Sequence, residues 1–408
     1  MKIGIMIWID RCVGIPLCWL ASQFYRVQRL FSRAGDIGIK KMLFIKPSEM
    51  GTTVIMYPAL IKAREIFPEA ELFFLVFDDN AEILRVLNII KDENILTIRT
   101  SSPLLFLKDV ASAIVRLRRE GIDAAVDMEF FSRFTSIISY LSGAKKRAGF
   151  YRYHSEGLYR GDLMTHKINY NSYIHTGASY VCLVLSLGYP ASDMPFKYPS
   201  DSIKLEIPKF ELSQTAKEKI FVKLKERNPA IDESNPIVLI NPSTSQFLPF
   251  RKWPLKKYAA LAKSLLENNK DIFIIITGIK SDIEDGDSIC SDVDSSRCFN
   301  MMGKTSVREL IDLFNVSDVL VSVDSGPAHF AALTGINIVC IFGPETPILF
   351  SPLSDKCISL TCGFTCHPCM SVLTSRKPAC DCEEKKCLEE ITVDKVRSTV
   401  QTFLEKGR

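Results

Sequence analysis

The chain has 408 residues, enough for two ordinary domains, and its 47% hydrophobic and 24% charged residues are those of a folded globular protein. A formal net charge of only +4 excludes the broad basic field of a nucleic-acid-binding protein, so no nucleic-acid partner is expected. The charge is uneven: before residue 42, Lys2, Arg11, Arg26, Arg29, Arg33, Lys40 and Lys41 stand against Asp10 and Asp36 alone.

Residues 1–41 read as an amphipathic, membrane-associating N-terminal extension. The apolar run 3–21 is broken by Asp10, Arg11 and Pro16 and falls short of the roughly 20 apolar residues a spanning helix needs. Beyond it, Phe24, Val27, Leu30 and Phe31 fall near one helical face, while Arg26, Arg29 and Arg33 take another. With Trp8 and Trp19, that pattern suits a helix lying among lipid headgroups, so a membrane surface is the expected partner of residues 1–33. The competing reading is a helix packed on its own domain. No small-residue cleavage site follows the apolar run, which argues against a signal peptide, and a reducing cytoplasmic setting is expected.

A strand–helix alternation starts at Lys41. Strands are predicted at Met42–Ile45, Glu71–Phe77, Ile95–Ile98 and Ala124–Asp127, with helices at Tyr57–Phe67, Leu105–Glu120 and Arg133–Leu141. Residues 42–187 form the first predicted domain. Prolines 190, 195, 199, 208, 229 and 236 punctuate 188–235, which reads as a linker region holding one charged helix, Gln214–Glu226. The rhythm resumes over 236–356, with strands Ile237–Asn241, Ile272–Thr277, Val319–Val323 and Ile338–Phe342 and helices Leu255–Asn268, Val307–Phe314 and Ala328–Thr334. The fold class is therefore α/β, two doubly wound Rossmann-like domains facing a central cleft, with ligands expected beyond the carboxyl ends of the strands.

The chemistry concentrates in the second domain. Strand Val319–Val323 runs into Asp324-Ser325-Gly326-Pro327-Ala328-His329, where capping residues, a glycine and a first-turn proline open a helix. Unpaired amides and the positive helix end make such a junction a seat for an anion, and His329 lies one turn in. The plain alternative is a capped structural helix with a surface histidine; the nearby Phe342-Gly343-Pro344-Glu345-Thr346-Pro347 weighs against it. Ser243 and Thr244 at a strand mouth, followed by Arg251 and Lys252, suit phosphate oxygens, and Gly303-Lys304-Thr305-Ser306 is a Gly- and hydroxyl-rich entry to the helix at Val307 that points its N-terminus toward the cleft.

The run DSGPAH…FGP, preceded by GKTS and by NPS…RKWP, resembles the lipopolysaccharide heptosyltransferase family, glycosyltransferase family 9. The resemblance covers most of 42–400 and implies the GT-B fold, sugar transfer with inversion, and no metal cofactor for catalysis. It implies a nucleotide-sugar donor, ADP-heptose, and a lipopolysaccharide-core or other lipid-linked glycan acceptor, met on the cytoplasmic face of the inner membrane. Asp324, Ser325, Gly326 and His329 then bind the donor diphosphate, with Pro327 and Ala328 in the same turn and Arg251 or Lys252 on phosphate.

One departure stands out. The family's N-terminal loop reads Leu-Gly-Asp, with the aspartate as the base on the acceptor hydroxyl, whereas this chain has Met50-Gly51-Thr52. Threonine is no base near neutral pH, so Glu49, three residues earlier, is the candidate replacement. The catalytic set is thus Glu49, Thr52 and His329. A catalytically decayed GT-B nucleotide-sugar-binding protein is the alternative reading, and a nucleotide-sugar epimerase a third.

Seven of the 13 cysteines lie between Cys357 and Cys387. In a cytoplasmic chain such spacing suggests structural zinc, with Cys366, Cys369, Cys380 and Cys387 as ligands; reduced thiols or a disulfide are the alternative. Ile391–Leu404 reads as a final helix closing the 357–408 segment by crossing back to the first domain.

Overall fold

The computed structural model describes residues 3–31, 38–152, 158–244, 248–370, 382 and 386–406. Two compact units divide between Leu205 and Glu206.

Unit 1 has strands β1 (Lys41–Ile45), β2 (Glu71–Phe77), β3 (Ile95–Ile98), β4 (Ala124–Asp127), β5 (Lys146–Tyr151) and β6 (His166–Asn169). Its helices are α1 (Ile3–Cys12), α2 (Gly14–Phe31), α3 (Met50–Ile55), α4 (Tyr57–Ile66), α5 (Ala81–Leu87), α6 (Pro103–Glu120), α7 (Arg133–Leu141) and α8 (Thr176–Ser186). All strands pair in parallel, in the order β3-β2-β1-β4-β5-β6. Because the order reverses beside β1, the loops after β1 and β4 diverge and leave a crevice at their carboxyl ends. Met42–Ile45 and Leu72–Val76 are buried runs, as expected of parallel strands covered on both faces. Each such side chain contributes about 1.5–3 kcal/mol of burial.

The N-terminal helices pack on unit 1 through their small and polar residues. Gly14, Cys18 and Ser22 are the buried positions of α2. A Cβ at Gly14 would lie 2.8 Å from Arg133 Cβ, and one at Gly161, whose φ is +78°, would meet Ser22 Oγ at 2.8 Å. Ser22 Oγ donates to Cys18 O at 2.6 Å and accepts from Asp162 N at 2.7 Å. The Asp10 carboxylate accepts from the N–H groups of Arg133 and Phe134 at the start of α7, at 3.0 and 2.9 Å, where the positive helix end favours it. The residue that interrupts the apolar run is thus a docking residue.

Unit 2 has strands β7 (Ile237–Asn241), β8 (Phe273–Ile276), β9 (Cys298–Asn300), β10 (Val319–Val323), β11 (Asn337–Ile341) and β12 (Cys357–Leu360). Its helices are α9 (Gln214–Lys225), α10 (Leu255–Asn268), α11 (Ile283–Val293), α12 (Val307–Asn315), α13 (Gly326–Ala331), α14 (Pro347–Phe350), α15 (Lys386–Glu390) and α16 (Val393–Lys406). The order is β12-β11-β10-β7-β8-β9, again all parallel, with the reversal between β7 and β10.

Three expectations change. Residues from Glu206 belong to unit 2 and are not a linker: Phe210 N donates to Leu333 O at 2.7 Å, and Lys223 of α9 pairs with Glu309 of α12 at 2.6 Å. The final helix does not spend its apolar face on a crossing. Val396 and Val400 are fully buried in the core of unit 2, against α10 and the strands. The start of the cysteine-rich segment is sheet: Cys357 opens the edge strand β12, and burial pushes its thiol up to about 11.

Candidate functional site

The crevice of unit 2 is built by the loops after β7 and β10, where Asn241 and Ser322 are in register. Trp253 sets the first loop. Its ring is fully buried, lies edge-on to Tyr258 with centroids 4.8 Å apart, and donates from Nε1 to Ile391 O at 3.0 Å. Two residues earlier, Arg251 reaches the loop after β10, where Nη1 donates to Asp324 Oδ2 at 2.8 Å, and the loop after β11, where Nη2 donates to Glu345 Oε2 at 3.3 Å. On its other side, Asp324 Oδ1 lies 3.8 Å from His329 Nε2. Asp324 and Glu345 are buried, so these carboxylates fix the Arg251 guanidinium, and Asp324 lies between it and His329.

Four buried polar atoms in this crevice have no hydrogen-bond partner among the described residues: Asn241 Oδ1, Ser243 Oγ, Arg251 Nε and His329 Nδ1. An unsatisfied buried polar group costs about 1–3 kcal/mol. Arg251 Nε and His329 Nδ1 belong to the two loops that the Asp324 carboxylate joins, and such groups suit a polar ligand. The turn Ser325-Gly326-Pro327 is half-buried and reachable, and no side chain caps α13; the Ser325 hydroxyl meets Ser322 Oγ at 3.2 Å.

Other predicted donor residues lie differently. Lys252 pairs with Asp285 of α11. Thr244 is half-buried beside Ser243. Gly303, with φ +68°, and Lys304 are exposed and Thr305 is half-buried, all on the way into α12. Ser306 and Glu309 complete a capping box there, so that helix start satisfies amides internally.

Unit 1 places a second polar group at the ends of β1 and β4, where Ile45 and Asp127 are in register. Lys46 is fully buried, with Nζ 3.1 Å from Glu129 Oε1 and 3.4 Å from Glu49 Oε2. Glu129 also accepts from Ser48 N at 3.0 Å and Ser48 Oγ at 2.6 Å, and buried Asp127 pairs with Arg160. Glu49 sits at φ +66°, a left-handed conformation costly for a non-glycine residue, and its side chain keeps 29% exposure. Thr52 Oγ1 donates to Glu49 O at 2.7 Å, so the threonine serves the turn that presents Glu49.

The sequence reading missed Lys46, Asp127, Glu129 and Arg160. Asp127-Met128-Glu129 at the exit of a predicted strand was the available signal. Glu345 stood within a quoted motif without a role. Cys366 and Cys369 are exposed, and Cys387 packs at the edge of the unit 2 core. Cys380 lies outside the described residues, and among the described residues no group of His, Cys, Asp or Glu is arranged to hold a metal.

The family model for glycosyltransferase family 9 (heptosyltransferase) matches residues 110–379, about two-thirds of the chain. The chain belongs to glycosyltransferase family 9. Among curated relatives, lipopolysaccharide heptosyltransferase 2 of Salmonella typhimurium is 30% identical over 130 residues, a stretch covering 31% of this chain and 36% of that relative. The match thus spans about a third of its length. Among solved structures, the E. coli ADP-heptose lipopolysaccharide heptosyltransferase II superposes with a TM-score of 0.68 at 20% identity, covering 90% of this chain and 99% of that one. The E. coli heptosyltransferase WaaC with ADP-2-deoxy-2-fluoro heptose gives 0.60 at 14% identity, over 90% and 100%. These superpositions show a shared fold of two doubly wound units, the GT-B architecture. Within this family 9 chain, all of unit 2 up to the start of the cysteine-rich loop lies inside the matched residues, as do β4 to β6 of unit 1. The loop from Lys46 to Thr52 precedes them.

Proposed function

We propose that this family 9 chain is an inverting glycosyltransferase moving heptose from ADP-heptose onto a lipopolysaccharide-core or similar lipid-linked acceptor at the cytoplasmic face of the inner membrane. The observation that carries the proposal is the group of buried donors on the loops after β7 and β10: Arg251, held by Asp324, with Ser243 and His329. Donors of that kind, held rigid out of water, stabilise the charge that grows on a departing diphosphate. The bond from the anomeric carbon to the diphosphate oxygen breaks as the acceptor oxygen attacks the opposite face. The acceptor proton passes to Glu49, the most accessible carboxylate of the unit 1 loop. The leaving diphosphate is held by the turn Ser325–Ala328, His329 and Arg251, with no metal in the scheme.

The donor resemblance rests on the solved relatives, an ADP-heptose transferase and one held with ADP-2-deoxy-2-fluoro heptose. Titration calorimetry of the full chain against ADP, UDP and GDP tests it: binding of ADP alone is expected, and no nucleotide binding overturns it. Thr52, tied to a backbone carbonyl where the family resemblance implies an aspartate base, favours a second reading as a non-catalytic nucleotide-sugar-binding protein. Release of ADP from ADP-heptose in the absence of acceptor supports the transferase; tight binding with no turnover supports the second reading.

A further inference from the structure

The N-terminal helices have an inverted pattern of burial. On α2 the residues facing unit 1 are Gly14, Cys18 and Ser22, whereas Leu17, Trp19, Leu20, Phe24, Val27, Leu30 and Phe31 are exposed. Leu20, Phe24, Val27 and Phe31 repeat at i, i+4, i+7 and i+11, one continuous stripe on the side away from the buried residues. The backbone ladder continues into α1 through Val13 N to Ile9 O and Leu17 N to Val13 O, at 2.9 and 3.2 Å, so Ile7 and Trp8 extend the surface. Trp8 is 62% exposed, Phe24 70% and Phe31 85%. A soluble chain rarely leaves a contiguous apolar face of this extent uncovered.

We infer that the outer face of α1 and α2 is a docking surface for an anionic lipid bilayer. Charge selects this occupant. Between residues 3 and 31 the cations are Arg11, Arg26 and Arg29 and the only acid is Asp10, which is occupied by the start of α7 and by Arg133 at 3.2 Å. Arg26 comes within 3.9 Å of Asp162, which Lys167 also binds, so that contact leaves the strip cationic. These arginines lie beside the apolar stripe, on the polar side of the helices, where the phosphate headgroups of an anionic bilayer complement them. Trp8 and Trp19, both exposed on these helices, suit the interfacial layer, where a ring has one apolar and one wet side. No helix among the described residues is long and apolar enough to cross a membrane, so the helices lie in the interface. The inference rests on the transferase reading only for the identity of the acceptor; lipid binding needs neither donor nor acceptor.

Co-sedimentation of the full chain with phosphatidylcholine vesicles, with and without phosphatidylglycerol, tests it. Binding is expected with phosphatidylglycerol, weakening about fivefold for each of Arg26→Gln and Arg29→Gln, the effect of one cation at an anionic surface. The triple change Trp8→Ser, Trp19→Ser, Phe24→Ser should abolish sedimentation while leaving the melting temperature and ADP binding as in the parent, since all three side chains are exposed. A parent chain that stays in the supernatant with anionic vesicles overturns the inference. So does a dimer in sedimentation velocity that the triple change dissociates, which would identify a second copy as the occupant.

Discussion

Arg251 holds the Asp324 carboxylate at 2.8 Å, joining the loop after β7 to the loop after β10 across the point where strand order reverses. The contact sets both the place of the cation and the conformation of the turn beside it. Arg251→Ala should therefore lower kcat about a hundredfold or more, the usual loss of one fixed donor to a developing anion. The acceptor KM should change little. A loss confined to acceptor KM would contradict the placement.

Asp324→Asn keeps the shape of the side chain but leaves Arg251 with Glu345 as its remaining carboxylate partner at 3.3 Å. The guanidinium is then poorly placed, and ADP affinity should fall together with kcat. Titration calorimetry on the variant checks this, and unchanged ADP affinity would show that Asp324 is dispensable for the site.

Glu49→Gln should reduce turnover by two or more orders of magnitude, the contribution expected of a positioned general base. ADP affinity should remain as in the parent, because Glu49 belongs to unit 1 and Ser243, Arg251 and His329 to unit 2. Near-normal turnover would sink the assignment.

Trp253→Ala should destabilise the chain by about 3–5 kcal/mol, the range for deleting a fully buried large aromatic side chain. Loss of the bond to Ile391 O also frees the approach to α16. Urea unfolding monitored by circular dichroism reads the change.

Burial pushes the Asp127 carboxyl up to about 6, against the lowering influence of Arg160. Between the ordinary aspartate value and about 6, the folded chain keeps a proton that the unfolded chain has released. Stability from this group therefore falls as pH rises through that window and is flat above it. The span corresponds to an effect on the order of 3 kcal/mol. Unfolding free energies at pH 4 and pH 7 should differ less in Asp127→Asn than this falling contribution makes them differ in the parent, once the slope common to both chains is subtracted. The same slope in both chains would refute the shift.

Much of this architecture was legible because parallel strands are long apolar runs. Glu71–Phe77, Ile237–Asn241 and Val319–Val323 fell where predicted. Strands β5, β6 and β9 were missed because they carry Lys146, Arg147, His166 or Asn300, charges and polar groups that tertiary contacts satisfy: Arg147 Nε donates to Leu163 O at 2.6 Å, and its guanidinium stacks 4.6 Å over Tyr25. Local pattern cannot announce such long-range partners. The loop Asp324–His329 was readable from capping chemistry, while the clamp of Arg251 by Glu345 spans 94 positions and leaves no local trace. The same holds for the pairing of Lys46 with Glu129.

The tight seat of α2 on unit 1, with no room for a side chain at Gly14 or Gly161, has a kinetic consequence. A chain anchored through a floppy tail would tumble above its substrate layer and meet it in every heading. If α2 docks on lipid as inferred above, the chain keeps a single bearing, and its search for a lipid-linked acceptor becomes a glide in two dimensions. Its velocity should then follow the number of acceptors per unit area of bilayer and stay indifferent to the volume of the surrounding water.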